Sequence, residues 1–232
     1  MSSTRTILRI RKLAKEFCLH LQNALRLPVF QALDLDVAAG EALAVTGPSG
    51  TGKSSLLKLI YGTYKAGGGE ISVRHQGQWV DIAAAQPKQI LAVRRSTIGY
   101  VPQFLRVIPR VAALDVVAEP LLERGMEAGG AAAQASALLS RLAIPERLWQ
   151  LSPLTFSGGE QQRVNIARGL AVSYPILLLD EPTTSLDADN RARVLALINE
   201  TRAKGATIIG VFHDAADRSA VCTREVDLGL RT

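Results

Sequence analysis

The stretch Gly47-Pro-Ser-Gly-Thr-Gly-Lys53-Ser54 constrains this chain more than any other. It fits the pattern G-x-x-x-x-G-K-[ST] and lies where that pattern has physical meaning. An apolar run, Glu41-Ala-Leu-Ala-Val-Thr46, enters it, and Lys53-Ser-Ser-Leu-Leu-Lys-Leu-Ile60, with leucines at helical spacing, leaves it. Strand, glycine turn, helix is the order a phosphate site needs. The glycines let backbone N–H groups curl around phosphate oxygens, and the helix turns its positive end toward the same charge. Gly47, Pro48, Ser49, Gly50, Thr51, Gly52, Lys53, Ser54 and Ser55 are therefore expected to line a bound phosphate chain. Lys53 is expected to reach the β- and γ-phosphates, and the Ser54 hydroxyl to ligate Mg²⁺.

Further along, Ile176-Leu-Leu-Leu-Asp180-Glu181 reads as a buried strand delivering two carboxylates at its C-terminal end, where open α/β sheets place their ligands. Asp180 suits a Mg²⁺ shell. Glu181 is placed to polarise a water for attack on a γ-phosphate. A second glycine turn, Phe156-Ser-Gly-Gly-Glu160-Gln-Gln-Arg163, also leads into a helix. Two such helix starts imply two phosphates, or one presented to a second subunit.

The remaining pattern is that of one α/β domain spanning 1–232, with an edge antiparallel sheet near the N-terminus. Its core is expected at 1–103 and 156–232, with a helical insertion at about 104–155. Strands are expected over Ile7–Leu13, through Leu33, Leu35 and Val37, and over Ala206–Phe212. Helices are expected over Leu114–Arg124, Ala131–Leu142 and Asp189–Lys204, the last stopped by Gly205, with Gly129-Gly130 as punctuation. Hydrophobic residues at 47% with aromatics at 5% suit an aliphatic core around parallel strands. No segment approaches the roughly 20 apolar residues of a membrane span. The N-terminus is interrupted by charges, so a cytoplasmic location is expected. The net charge of +6 is scattered and has no run of the kind that marks a nucleic-acid tail. Cys18 and Cys222 lie outside any metal or redox spacing and are expected to be small buried hydrophobes. His20 and His75 have no ligand-spaced neighbours and are expected to be surface or hydrogen-bonded histidines.

Taken in order, the loop at 47–54, Gln103, Ser157-Gly-Gly-Glu-Gln161, Asp180-Glu181, Ser185-Leu-Asp187 and His213 resemble the ABC (ATP-binding cassette) ATPases over the whole chain. The resemblance implies a P-loop NTPase core that binds ATP and Mg²⁺ and closes as a homodimer. It implies catalytic roles for Lys53, Gln103, Glu181 and His213, and metal contacts from Ser54, Gln103 and Asp180. Gln103 would also mark the hinge to the insertion. Ser157, Gly158 and Gly159 would bind the γ-phosphate held by the opposite subunit, and Ser185-Leu-Asp187 would cross the interface. Phe17 fits the position that stacks on adenine. Glu160 belongs to the same nucleotide-facing stretch but is a departure, since glutamine is commoner there. Beside a triphosphate its carboxylate must face away or pair with a cation such as Arg163, and it is expected to point along its helix rather than at nucleotide.

Two stretches go beyond the general pattern. Gln103-Phe-Leu-Arg-Val-Ile-Pro-Arg110 and the run from Pro145 through the glycine turn to Gly169 are similar to the L-subunit subfamily of the bacterial carbon–phosphorus lyase system. The segment His20 to Phe30, read as a long connection between strands, is similar to it too. That resemblance implies phosphonate breakdown within a soluble assembly containing a second ABC protein. The alternative is the ATP-hydrolysing subunit of a membrane transporter of export or lipoprotein-release type. A DNA-repair ATPase is disfavoured because the insertion is short and has no sustained heptads, so no nucleic-acid partner is expected.

Overall fold

The computed structural model describes residues 5–19 and 25–229, with the backbone alone for Cys18, Leu19 and Leu25. In the N-terminal third, strict alternation produces a half-buried sheet. Leu33, Leu35 and Val37 are buried while Asp34 and Asp36 between them are exposed. Strand β1 (Thr6–Leu19) pairs antiparallel with β2 (Leu25–Ala38) and with β4 (Gly68–His75), and β4 pairs with β5 (Gln78–Asp81). The order is β2-β1-β4-β5. Residues 25–30 are thus strand rather than connection, because β1 runs on past Leu13 and pairs Phe17 with Leu27. His20 lies outside the described residues, as does the Cys18 side chain.

The second sheet is parallel throughout, in the order β6 (Ile98–Val101), β7 (Ile176–Asp180), β8 (Thr207–Val211), β3 (Ala42–Thr46), β9 (Arg224–Asp227). Every residue of β7 and β8 is buried, which is why both read as continuous apolar runs instead of alternating ones. Helix α1 (Lys53–Ile60) leaves β3 and buries Leu56, Leu57, Leu59 and Ile60. Next comes α2 (Pro87–Ser96), which precedes β6.

The stretch expected as a helical insertion contains α3 (Ala113–Glu123), α4 (Ala128–Arg141) and two short 3-10 turns before α5 (Gly158–Leu170). The second insertion helix begins before Gly129-Gly130 instead of after it. The Glu127 carboxylate accepts from the N–H groups of both glycines and caps the helix there. Arg163 on α5 is 8% exposed, and its Nη1 donates to Leu142 O (2.9 Å), Ala143 O (2.7 Å) and Asn190 Oδ1 (3.1 Å). Helix α6 (Ala188–Ala203) ends at Gly205, whose φ of 97° is left-handed. The last helix, α7 (Ala215–Val221), leads to Cys222, which is half-buried against the core; burial pushes its thiol up to about 11. Among the described residues, no helix is long and apolar enough to cross a membrane.

Candidate active site

Parallel pairing of β7, β8 and β3 brings the C-terminal ends of three strands side by side, so the chain segments leaving them converge. After β3 comes the glycine loop. Gly52 caps α1 with a φ of 91° and without a side-chain cap, so the first N–H groups of the helix remain for a ligand. Glycine is required here: a Cβ at Gly52 would come 2.2 Å from Val29 Cγ1. Lys53 folds back over the loop, its Nζ donating to Gly47 O and Pro48 O, both at 2.8 Å. Thr51 Oγ1 donates to Pro48 O at 2.9 Å, while Pro48, Ser49 and Gly50 face solvent and Ser55 is half-buried.

Asp180, at the end of β7, is 2% exposed. Its Oδ1 accepts from Ser54 Oγ at 2.7 Å, and its Oδ2 accepts from the Tyr100 hydroxyl at 3.0 Å. Burial, with the neighbouring carboxylate second, raises the Tyr100 phenol far above its ordinary range. Ser54 and Asp180 offer two converging oxygen donors and not a closed cage. That donor set fits Mg²⁺, a hard cation usually held by one or two protein oxygens plus substrate phosphates.

Glu181, one residue on, has a φ of 53°, a conformation that costs a non-glycine residue about 1–3 kcal/mol and clusters at functional sites. Its N–H donates to Val211 O at 3.0 Å. The carboxylate is 13% exposed and held on three sides: Gln103 Nε2 at 2.9 Å, His213 Nε2 at 2.9 Å and Thr184 Oγ1 at 3.4 Å. Gln103 is brought to Glu181, whereas the Ser54–Asp180 pair takes its other hydrogen bond from Tyr100. His213, 68% exposed, reaches the same carboxylate from the end of β8. A water placed against Glu181 would therefore meet a base whose orientation is fixed by three neighbours.

The Ser157 turn differs from expectation in one respect. Glu160 takes its partner from the start of its helix and not from Arg163: its Oε2 accepts from Ser157 N (2.9 Å) and Ser157 Oγ (2.8 Å), while Ser157 Oγ accepts from Glu160 N (3.3 Å). This closed capping box, chiefly the Ser157 hydroxyl, holds the Glu160 carboxyl below the usual glutamate range. Arg163 is drawn away by the carbonyls at the end of α4. Gly158 is exposed, and a Cβ on Gly159 would stand 3.1 Å from Ser185 O, so the turn lies against the Ser185 segment. Asp187 caps α6 by accepting from Asn190 N at 2.8 Å, which lowers its carboxyl.

The motifs from Gly47 to Glu181 fall within a family model for the ABC transporter, matched over residues 30–184. The chain belongs to the ABC transporter family. It is an ATP hydrolase of the kind that binds ATP with Mg²⁺. This cassette is 39% identical to the lipoprotein-releasing system ATP-binding protein LolD of Maricaulis maris, over 84% of this chain and 83% of that one. It is 36% identical to the macrolide export ATP-binding/permease protein MacB of Escherichia coli over 80% of this chain, but spans only 28% of that longer protein. Its fold matches the ATP-binding cassette MJ0796, described as a dimer in a post-hydrolysis state with ADP and Pi, at a TM-score of 0.86 and 27% identity, covering 96% and 95% of the two chains. No carbon–phosphorus lyase subunit is among these; the two sequence relatives are named for lipoprotein release and macrolide export.

Of the residues expected from sequence, the fold gathers Lys53, Ser54, Asp180, Glu181, Gln103 and His213. Phe17, on β1, lies with its ring edge-on to Tyr64 at 5.4 Å and under Lys15 Nζ at 4.8 Å. His75 bonds Thr97 Oγ1 at 2.7 Å. Sequence reasoning passed over Tyr100, Thr184 and Gln162, whose Nε2 donates to Pro182 O at 3.1 Å beside Glu181. No sequence signal marks Tyr100, because its place beside Asp180 comes from the pairing of β6 with β7.

Proposed function

We propose that this ABC ATPase works as a clamp, two copies closing head to tail over two ATP molecules and reopening after hydrolysis. What carries the reading is Glu181, strained, shielded and held by Gln103, His213 and Thr184, one residue from the Ser54–Asp180 pair. ATP entering the Gly47–Ser55 loop would draw the Lys53 ammonium from the carbonyls of Gly47 and Pro48 onto the β- and γ-oxygens. Ser54 and Asp180 would hold Mg²⁺, which neutralises charge on those oxygens. Glu181 takes a proton from the attacking water, the water oxygen bonds to the γ-phosphorus, and the bridging oxygen leaves with ADP. Gln103 and His213 keep the carboxylate aimed during that transfer. The exposed Ser157-Gly-Gly turn would meet the γ-phosphate bound by the opposite subunit, making the interface isologous. Loss of that phosphate would then unlock the pair. The dimeric MJ0796 structures support this arrangement. Replacing Glu181 by Gln should slow hydrolysis about 10²- to 10⁴-fold while leaving ATP bound. Size-exclusion chromatography should then show an ATP-stabilised dimer; a monomeric, fully active variant would overturn the assignment.

Hydrolysis must act on something else, and the relatives favour a membrane permease of lipoprotein-release or export type. A second reading rests on the stretches Gln103–Arg110 and Pro145–Gly169, whose resemblance points to the soluble carbon–phosphorus lyase assembly of phosphonate catabolism. Affinity capture with Glu181→Gln from cells grown on a phosphonate as sole phosphorus source separates the two. A polytopic membrane protein among the captured partners supports the first reading, and soluble lyase subunits support the second.

A further inference from the structure

Tyr100 belongs to none of the motifs above, yet it touches two places at once. Its ring forms part of the wall of a cleft of about 650 Å³ between core and insertion, beside Tyr61, Arg94 and Asn165. Its hydroxyl donates to Asp180 Oδ2 at 3.0 Å. The ring is braced from the cleft side: Tyr61 packs on it with centroids 5.1 Å apart, and the Arg94 guanidinium lies 4.4 Å over Tyr61 while its Nε donates to Tyr61 O at 2.8 Å.

Asp180 thus has one hydroxyl donor on each oxygen. The two donors are not equivalent. A hydroxyl has one proton and two lone pairs, so Ser54 Oγ can turn a lone pair to a cation while its proton stays on Asp180 Oδ1. The Tyr100 hydroxyl stands outside that ligand pair and fixes the plane of the carboxylate from its other oxygen. Partners behind a metal ligand typically set affinity by about 10- to 100-fold.

We propose that Tyr100 is a positioning residue that aims the Asp180 carboxylate at the Ser54 hydroxyl, sets the affinity of the site for a divalent cation, and makes that affinity depend on the packing of the cleft wall. This rests on the reading of Ser54 and Asp180 as the cation's ligands. Whatever occupies the cleft and shifts Tyr61 or Tyr100 would thereby reach the nucleotide site without touching it.

The test uses Mn²⁺ as a spectroscopic probe, bound with ATP to full-length protein in a Glu181→Gln background and followed by electron paramagnetic resonance. Tyr100→Phe, which removes only the hydroxyl, should raise the Mn²⁺ dissociation constant about tenfold. Tyr61→Leu should raise it about threefold, as expected for a residue acting through another. Melting of the nucleotide-free proteins should show both variants folded, so that a shift in Mn²⁺ affinity reports the carboxylate and not unfolding. A Tyr100→Phe constant within about twofold of its parent, with Asp180→Asn still weakening Mn²⁺ strongly, overturns the role of Tyr100 alone. An Asp180→Asn variant that binds Mn²⁺ as tightly as its parent removes the metal-ligand reading and this inference together. A shift in Tyr100→Phe without one in Tyr61→Leu overturns the link to the cleft.

Discussion

The chain starts two helices from glycine turns, and the two are finished differently. The turn at Gly52 has no side-chain cap, so the donors of its first helical turn are left for a ligand. The turn at Ser157 is closed by its own serine and glutamate. An anion arriving at the first finds N–H groups ready and only has to displace the Lys53 ammonium from two carbonyls. An anion arriving at the second must win the Ser157 proton from Glu160, and is otherwise left with the N–H groups of the helix start. One turn is thus built to hold a ligand on its own. The other is stable without one and suits a contact made only when a second molecule brings the phosphate.

The sharpest way to break that contrast is to add a methyl to each turn. Gly52→Ala forces a Cβ into Val29 at a left-handed φ. It should cost about 1–3 kcal/mol of stability and weaken ATP binding by about tenfold or more, measured by denaturant melts and nucleotide titration. Gly158→Ala meets nothing within 4 Å and should change stability by less than about 0.5 kcal/mol. Equal losses would mean that the two turns are held alike. An intermediate effect is expected from Ser157→Ala, which removes the cap. About 1 kcal/mol of stability should go, and the ATP-dependent dimer should weaken while ATP binding to the monomer stays.

The smallest change is Glu160→Gln, which keeps a side chain that can accept from Ser157. Nucleotide affinity should move by less than about tenfold, roughly 1.4 kcal/mol. Its signature lies in acid. Because the folded Glu160 carboxyl sits below the ordinary 4.5, its stabilisation is complete above that value and is lost as pH falls through the lower folded value. Glu160→Gln should therefore be less acid-sensitive over that window in pH-dependent melts, and an unchanged acid limb would show that the capping box contributes nothing.

Legibility of these features in the sequence followed the range of the forces involved. The Gly47–Ser54 loop, the Asp180-Glu181 strand end and the stop at Gly205 are local: backbone conformation and burial within a few residues decide them, and they read correctly. The Ser157–Glu160 box is also local, and the spacing S-x-x-E is itself a cap signature. It was outweighed by the opposite charge at Arg163, which the fold uses elsewhere for acceptors from α4 and α6. Gly129-Gly130 looked like a break because nothing in composition says that Glu127 will cap both N–H groups. Residues 25–30 became strand through pairing with the far end of β1, a tertiary effect that periodicity alone does not register. Tyr100 was invisible for the same reason, since an aromatic in an apolar strand reads as core until the sheet order puts β6 beside β7.

Arg163 has a mechanical consequence. Its guanidinium ties the carbonyls of Leu142 and Ala143, just past α4, to the helix that begins at Ser157, and is itself almost wholly buried. A load applied to the insertion therefore reaches the Ser157 turn through a stiff, charged strut instead of through slack chain. A further bond, to Asn190 Oδ1 at 3.1 Å, fastens that strut to α6, and Nε donates to Gly159 O at 3.3 Å within the turn's own helix.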